Sequence, residues 1–183
     1  MRTRSFIFCL GLLLVAASYA TAQGPELEKA TSFGGSSIRL PKGWLVKASS
    51  DTSLTARAPA ADKESADPSG KPPQGVAEYA PAVSIKVQGY AGEIDPAAQQ
   101  KVLVAGIDGY RSVETPAPVT IGEAKGYMFG GTFLFGKLQL RSRHYLLTMN
   151  NKLYVIAFTT LASRWQDHQE EFEASAKSFV PGK

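Results

Sequence analysis

The 183-residue chain carries one cysteine and two histidines, and beyond its first twenty residues it holds no uncharged apolar run of membrane-spanning length. The lone cysteine excludes a disulfide framework, thiol-redox chemistry and cysteine-based metal sites together. Charge of one sign is also scarce in blocks: 20 basic and 16 acidic residues are interspersed, and 44% of positions are hydrophobic, which excludes general disorder. A multidomain enzyme is excluded by length. The count suits one domain with a core of its own.

What is present begins with an address. Met1-Arg2-Thr3-Arg4 precedes an uncharged run from Phe6 to Ala17, and Ser18-Tyr19-Ala20-Thr21-Ala22 follows before Gln23. A basic start, an apolar middle and small residues at the end are the three parts of a secretory signal. Ala20 and Ala22 form its A-x-A cleavage pattern, so residues 1–22 are expected to be removed and the protein to be exported, periplasmic or extracellular, with a bacterial envelope as the expected setting. The run is too short to cross a bilayer, which needs roughly 20 residues. Cys9 lies near its beginning, away from the small residues of a lipoprotein attachment site, so the mature chain is expected to be free of cysteine and disulfides. Removing Arg2 and Arg4 from the 20 basic residues leaves 18 against 16 acidic ones, and this small excess argues against nucleic acid as a partner.

After a polar lead over 23–31, the expected domain spans 32–181. Ser37 to Pro41 alternates like a strand and stops at the proline, Gly43 to Val46 opens the next extended piece, and Leu54 to Arg57 fits a third strand. Residues 59–74 hold four prolines among Ala, Asp, Lys, Glu, Ser and Gly and read as a flexible surface loop. Val83 to Val87 resumes the sheet. Asp95-Pro96 supplies an N-cap with proline at the first helical position, and Leu103, Ile107 and Tyr110 recur at helical spacing, which predicts a helix from about Pro96 to Tyr110, weakened by Gly106 and Gly109. Strands follow at Val119–Ile121, Gly126–Phe135, Leu138–Met149 and Leu153–Thr160, the last two joined by an Asn150-Asn151 hairpin turn. Several are apolar on both parities, which predicts a sheet covered on both faces. Ser163-Arg164-Trp165-Gln166 fits a capping box for a final helix, whose Trp165, Phe172 and Phe179 fall on one stripe while Asp167, Glu170, Glu171 and Glu173 face away.

Two motifs stand out in this order of elements. SIRLPKGW, Ser37 to Trp44, turns a strand into a tryptophan corner, and FEASAKSF, Phe172 to Phe179, ends the final helix. With the helix and long meander between them, they resemble the PsbP-like family, which includes the extrinsic photosystem II protein, DcrB-like bacterial envelope proteins and Ran-binding import factors. The resemblance covers about Thr31 to Pro181. It implies an α+β fold, an α/β/α sandwich in which an antiparallel sheet of six to seven strands is flanked by helices on both faces. It also implies a non-enzymatic role in binding or stabilising other proteins. The motifs are packing motifs and carry no functional residue across.

The candidate sites are few. His144 and His168 have no second histidine three to five residues away, and Asp167-His168 with Glu171 reads as a solvated helix face, so no metal is expected. There is no G-x-S-x-G elbow, and Gly122 to Gly126 lacks the P-loop spacing; Gly130-Gly131 reads as a strand bend or close packing. Neither catalysis nor a cofactor is expected. Arg141 and Arg143, two apart on one strand face, suit carboxylates or phosphates of a partner, against the plainer reading of a solvent-facing segment near a sheet edge. The resulting expectation is an exported accessory or protein-binding module acting on an unknown envelope or membrane-associated partner; a carrier of a small apolar ligand and an undetected hydrolase are the alternatives.

Overall fold

Alternating Val, Ile, Tyr and Phe in the second half of the chain dictate long strands, and the computed structural model, which describes residues 24–59 and 79–183, joins them into one antiparallel sheet. The elements run β1 Leu27–Phe33, β2 Ser36–Pro41, β3 Leu45–Ser50, β4 Ser53–Arg57, β5 Ala82–Gly89, α1 Pro96–Val104, β6 Arg111–Ile121, β7 Ala124–Phe135, β8 Leu138–Met149, β9 Lys152–Leu161 and α2 Trp165–Lys177. The large sheet has the order β3-β4-β5-β9-β8-β7-β6, and β1 and β2 form a separate ribbon. The expected signal sequence and most of the proline-rich 59–74 segment lie outside the described residues.

One face of the sheet carries Leu54, Ala56, Val83, Ile85, Tyr145, Leu147, Tyr154, Ile156 and Phe158 against Trp165, Phe172 and Ala176 of α2, with Phe33, Ile38 and Leu40 of the ribbon closing the same core. The other face carries Phe129, Leu146 and Leu153 beneath Leu103 and Val104 of α1. The sheet is therefore covered on both faces, and six successive residues of β8, Ser142 to Leu147, are buried. This is the α+β layering that the apolar strands of both parities require.

The two packing motifs meet in space. Trp44 stands edge-on to Phe172 with ring centroids 6.1 Å apart. The motif serines hold β2: Ser175 Oγ donates to the Arg39 carbonyl at 2.7 Å, and the Arg39 amide donates to Ser178 Oγ at 2.8 Å. Ser37 and Val180 exchange backbone hydrogen bonds, so the chain after α2 runs as a short partner to β2. Burying Ser175 is tolerated because its hydroxyl is spent on a backbone acceptor.

Local signals explain most boundaries. Asp95 Oδ1 accepts from the amides of Ala97 and Ala98, with Pro96 at the first helical position. The Asn150 and Asn151 turn has φ of 53° and 56°, the pair of left-handed residues a two-residue hairpin demands. Four expectations are corrected. Helix α1 ends at Val104, because the chain passes into the left-handed region at Gly106 and Gly109. The capping box does not form: residues 162–164 make a 3-10 turn, α2 starts at Trp165, and Arg164 precedes it without a side-chain cap. Part of the polar lead is β1, which is held by its pairing to β2 rather than by apolar alternation. Finally, β6 begins at Arg111, well before Val119, and its prolines are tolerated because it is an edge strand.

Candidate functional site

Among the described residues, the densest group of ionisable side chains lies where β6, β7 and β8 meet α2. Arg141 and Arg143 point to the α2 face of β8, and Glu114 reaches them from β6 across the intervening β7. Arg143 gives Glu114 two hydrogen bonds, Nε to Oε2 at 2.9 Å and Nη2 to Oε1 at 2.8 Å, while Arg141 Nη2 reaches Oε1 at 2.6 Å. Arg143 Nη1 also meets Glu173 of α2 at 2.8 Å. Both guanidiniums lie against the Trp165 ring, at 4.5 and 5.3 Å from its centroid.

This crossing needs bare backbone on β7. A Cβ at Gly130 would sit 2.7 Å from Glu114 Oε2, and one at Gly131 would sit 2.3 Å from the Tyr110 ring on the opposite face. The glycine pair is thus a close-packing device. Burial alone would raise the Glu114 carboxyl, but hydrogen bonds from Arg143 and Arg141 outweigh it and hold the group below the usual range. The same bonds raise Arg143 above its ordinary value. Chemically the cluster is a set of fixed, mutually neutralising charges that staples β6 and α2 to β8.

The structure corrects the surface reading of the two arginines. β8 is the third strand from the β6 edge, Arg143 is only 6% exposed, and Arg141 keeps about a quarter of its side chain in solvent. Glu114 is the residue that sequence reasoning missed. It stands 27 residues from Arg141 in a proline-containing stretch, and the glycine pair was the available signal that something passes close over β7.

On the α1 face, His144 stacks on Phe129 at 5.0 Å, and its Nε2 lies 2.9 Å from Ser142 Oγ. Burial pushes its pKa down to about 4, so the ring is neutral near pH 7. Its Nδ1 and the nearby Tyr110 hydroxyl are buried without a partner among the described residues. Nucleophilic catalysis asks for a base oriented by a third group and a serine open to substrate. Here the base has no orienting partner, and the serine is 2% exposed. His168 lies on the other face, stacked on Phe172 with Nδ1 3.2 Å from Glu171, so the two histidines do not converge. Among the described residues no three His, Cys, Asp or Glu side chains gather to hold a metal, and no helix is long and apolar enough to cross a membrane.

The remaining feature is at one end of the sheet. Pairing of β8 with β9 ends at Leu140 and pairing of β6 with β7 begins at Thr132, yet β7 and β8 continue to pair through Leu134↔Gln139 and Phe135↔Leu138. The hairpin tip therefore projects beyond both neighbouring strands. Leu134 and Phe135 are 50% and 64% exposed there. A recess of about 310 Å³ at the root is lined by Gly109, Arg111, Thr132, Phe133, Leu134 and Gln139. Its lining comes from the ends of β6, β7 and β8 and from Gly109, with no residue of either helix.

Solved structures share this architecture. Cyanobacterial PsbP (CyanoP) from Synechocystis sp. PCC 6803 is 13% identical with a TM-score of 0.53, over 91% of this chain and 98% of that one. LpqN, involved in cell envelope biogenesis of Mycobacterium tuberculosis, is 11% identical at 0.51, over 80% and 83%. PA94 from Pseudomonas aeruginosa, a protein of unknown function, is 11% identical at 0.55, over 86% and 98%. No family model matches the chain, and no curated protein matches its sequence. The likeness is one of fold: the chain has the PsbP-like fold, and at these identities the comparison carries no residue's role.

Proposed function

We propose that this PsbP-like domain is an exported accessory module of the cell envelope that works by surface contact with an envelope or membrane-associated partner, without catalysis. The observation that carries the reading is the β7–β8 tip, which holds two large apolar side chains in solvent beyond the body of the sheet. Exposed apolar groups grouped on a projection cost solubility and are a mark of an interaction surface. The buried ionisable groups are turned inward, on one another. Arg141 and Arg143 support the contact indirectly in this reading, by holding β6 and α2 in place around the hairpin. Export rests on the Met1–Ala22 pattern, and an envelope setting is in keeping with the role named for LpqN.

Fractionation of cells expressing the chain, with the N-terminus read by mass spectrometry, tests the first half: the account expects a chain starting at Gln23 outside the cytoplasm. An intact Met1 terminus retained in the cytoplasm contradicts it. A photo-cross-linking residue at position 137 should then give a saturable adduct with an envelope component that the same residue at position 177 does not give. Equal labelling at both positions removes the surface role of the hairpin.

A further inference from the structure

We infer that the β7–β8 hairpin tip is a membrane-contact element that seats Leu134 and Phe135 in the apolar boundary of an anionic lipid surface. The inference deepens the surface-contact reading and rests on it, naming the element and the chemistry it meets.

The first ground is shape. Past the last pairs with β6 and β9, the ribbon carries two further residue pairs and a two-residue turn at Gly136 and Lys137, a projection on the order of 10 Å. Gly136 has a φ of 61°, so the turn is tight and the tip is narrow. Its root is braced: the Leu134 amide donates to the Asp108 carbonyl at 3.0 Å, and the Phe135 ring meets the Tyr79 ring, 6.3 Å away. A braced, convex wedge is presented without any ordering cost at the moment of contact.

The second ground is area. A stable protein interface buries about 800 Å² on each partner. A leucine and a phenylalanine at the end of a two-stranded ribbon offer far less, on the order of a few hundred Å². A protein partner would have to find the rest of its interface elsewhere, whereas a bilayer needs only a few apolar side chains at interfacial depth, with charge to assist.

Charge is the third ground. Lys137 sits in the turn itself, and Arg111 lines the root. Asp108 is the acid at the root. Among the described residues, a lysine in the turn and an arginine at the root stand against the one carboxylate of Asp108 and complement anionic headgroups, each basic side chain near such a surface adding about 1 kcal/mol.

The test is flotation of the chain, in the form the host accumulates, with vesicles of phosphatidylglycerol and phosphatidylethanolamine against phosphatidylcholine alone. Wild type should float with the anionic vesicles, and added salt should release it. Leu134→Ser with Phe135→Ser should lower the partition at least about tenfold with little loss of melting temperature, because each side chain keeps half or more of its surface in water in the free protein. Lys137→Glu should weaken it less. A second variant, Phe135→Trp, reports depth directly: its fluorescence should shift to the blue on anionic vesicles and be quenched by brominated acyl chains. Failure of wild type to float, equal flotation of the double-serine chain, or an unshifted tryptophan overturns the proposal. So does concentration-dependent dimerisation abolished by the double substitution, which would give the tip to a second copy of the chain. An exported chain that ignores vesicles sinks this inference alone, whereas a chain never exported sinks the reading beneath it.

Discussion

On the α2 side of the large sheet, Tyr145, Tyr154, Ile156 and Phe158 lie buried beneath Trp165 and Phe172, the ribbon seals the margin, and ion pairs tie β6 and α2 to β8. On the α1 side the same strands present Phe129, Leu146 and Leu153, and the helix above them buries none of its own residues fully. Alternate residues of one set of strands thus make a sealed face and a thinly covered one. The difference teaches where stability and adaptability reside: the α2 face holds the fold, while α1 is attached by few contacts and is free to respond to what it meets.

The largest expected contrast is between the two covering helices. Phe172→Ala should cost about 3–5 kcal/mol, since it removes a ring packed against Trp44, Phe158 and Trp165. Leu103→Ala, half-buried on α1, should cost about 1–2 kcal/mol. Chemical denaturation of both variants measures the gap, and equal losses would erase the distinction between the faces.

Next comes Glu114→Ala, which leaves Arg143 buried with one exposed partner. A loss of about 3 kcal/mol is expected. If stability is unchanged, the cluster does not staple the sheet.

His144 sharpens the α1 side through pH. Its folded pKa of about 4 lies below the ordinary 6.5, so the unfolded chain takes up a proton that the native one refuses. Stability is full above about pH 6.5 and falls as pH drops toward 4, by about 2 kcal/mol between 6.5 and 5. Glu114, whose folded pKa is also lowered, loses its contribution at more acidic pH, progressively from the usual carboxylate range down to its folded pKa. His144→Phe should therefore flatten the curve between pH 6.5 and 5, and a slope equal to wild type would show that another group governs it.

The smallest contrast uses neighbouring glycines that sample opposite faces. Gly130→Ala must displace a carboxylate held by two arginines and should cost about 1–3 kcal/mol. Gly131→Ala pushes on the partly buried, uncharged Tyr110 ring rather than on an ion pair, and should cost less. The reverse order would place the tighter packing on the α1 side.

Much of this architecture was legible in the residues. β7, β8 and β9 announce themselves through β-branched and aromatic runs, Asn150-Asn151 through its turn chemistry, and the two packing motifs through residues that prove to touch. What stayed hidden depends on partners distant in sequence. β1 is polar and exists through its pairing to β2, and β6 is masked by Pro116 and Pro118, which an edge position permits. The Ser163 cap was plausible locally, yet the chain first turns through a 3-10 step that moves the helix start to Trp165. For the site, two arginines were visible as a pair, but their carboxylate was not, because no local rule links Glu114 to a strand two positions away across the sheet.

Hydrogen–deuterium exchange on the native chain compares the two faces in one experiment. The account predicts that amides of Gln99 to Val104 exchange by local opening, well before those of Phe172 to Lys177, which should exchange only with global unfolding. Equal protection of the two helices would contradict the division of the molecule into a sealed face and a responsive one.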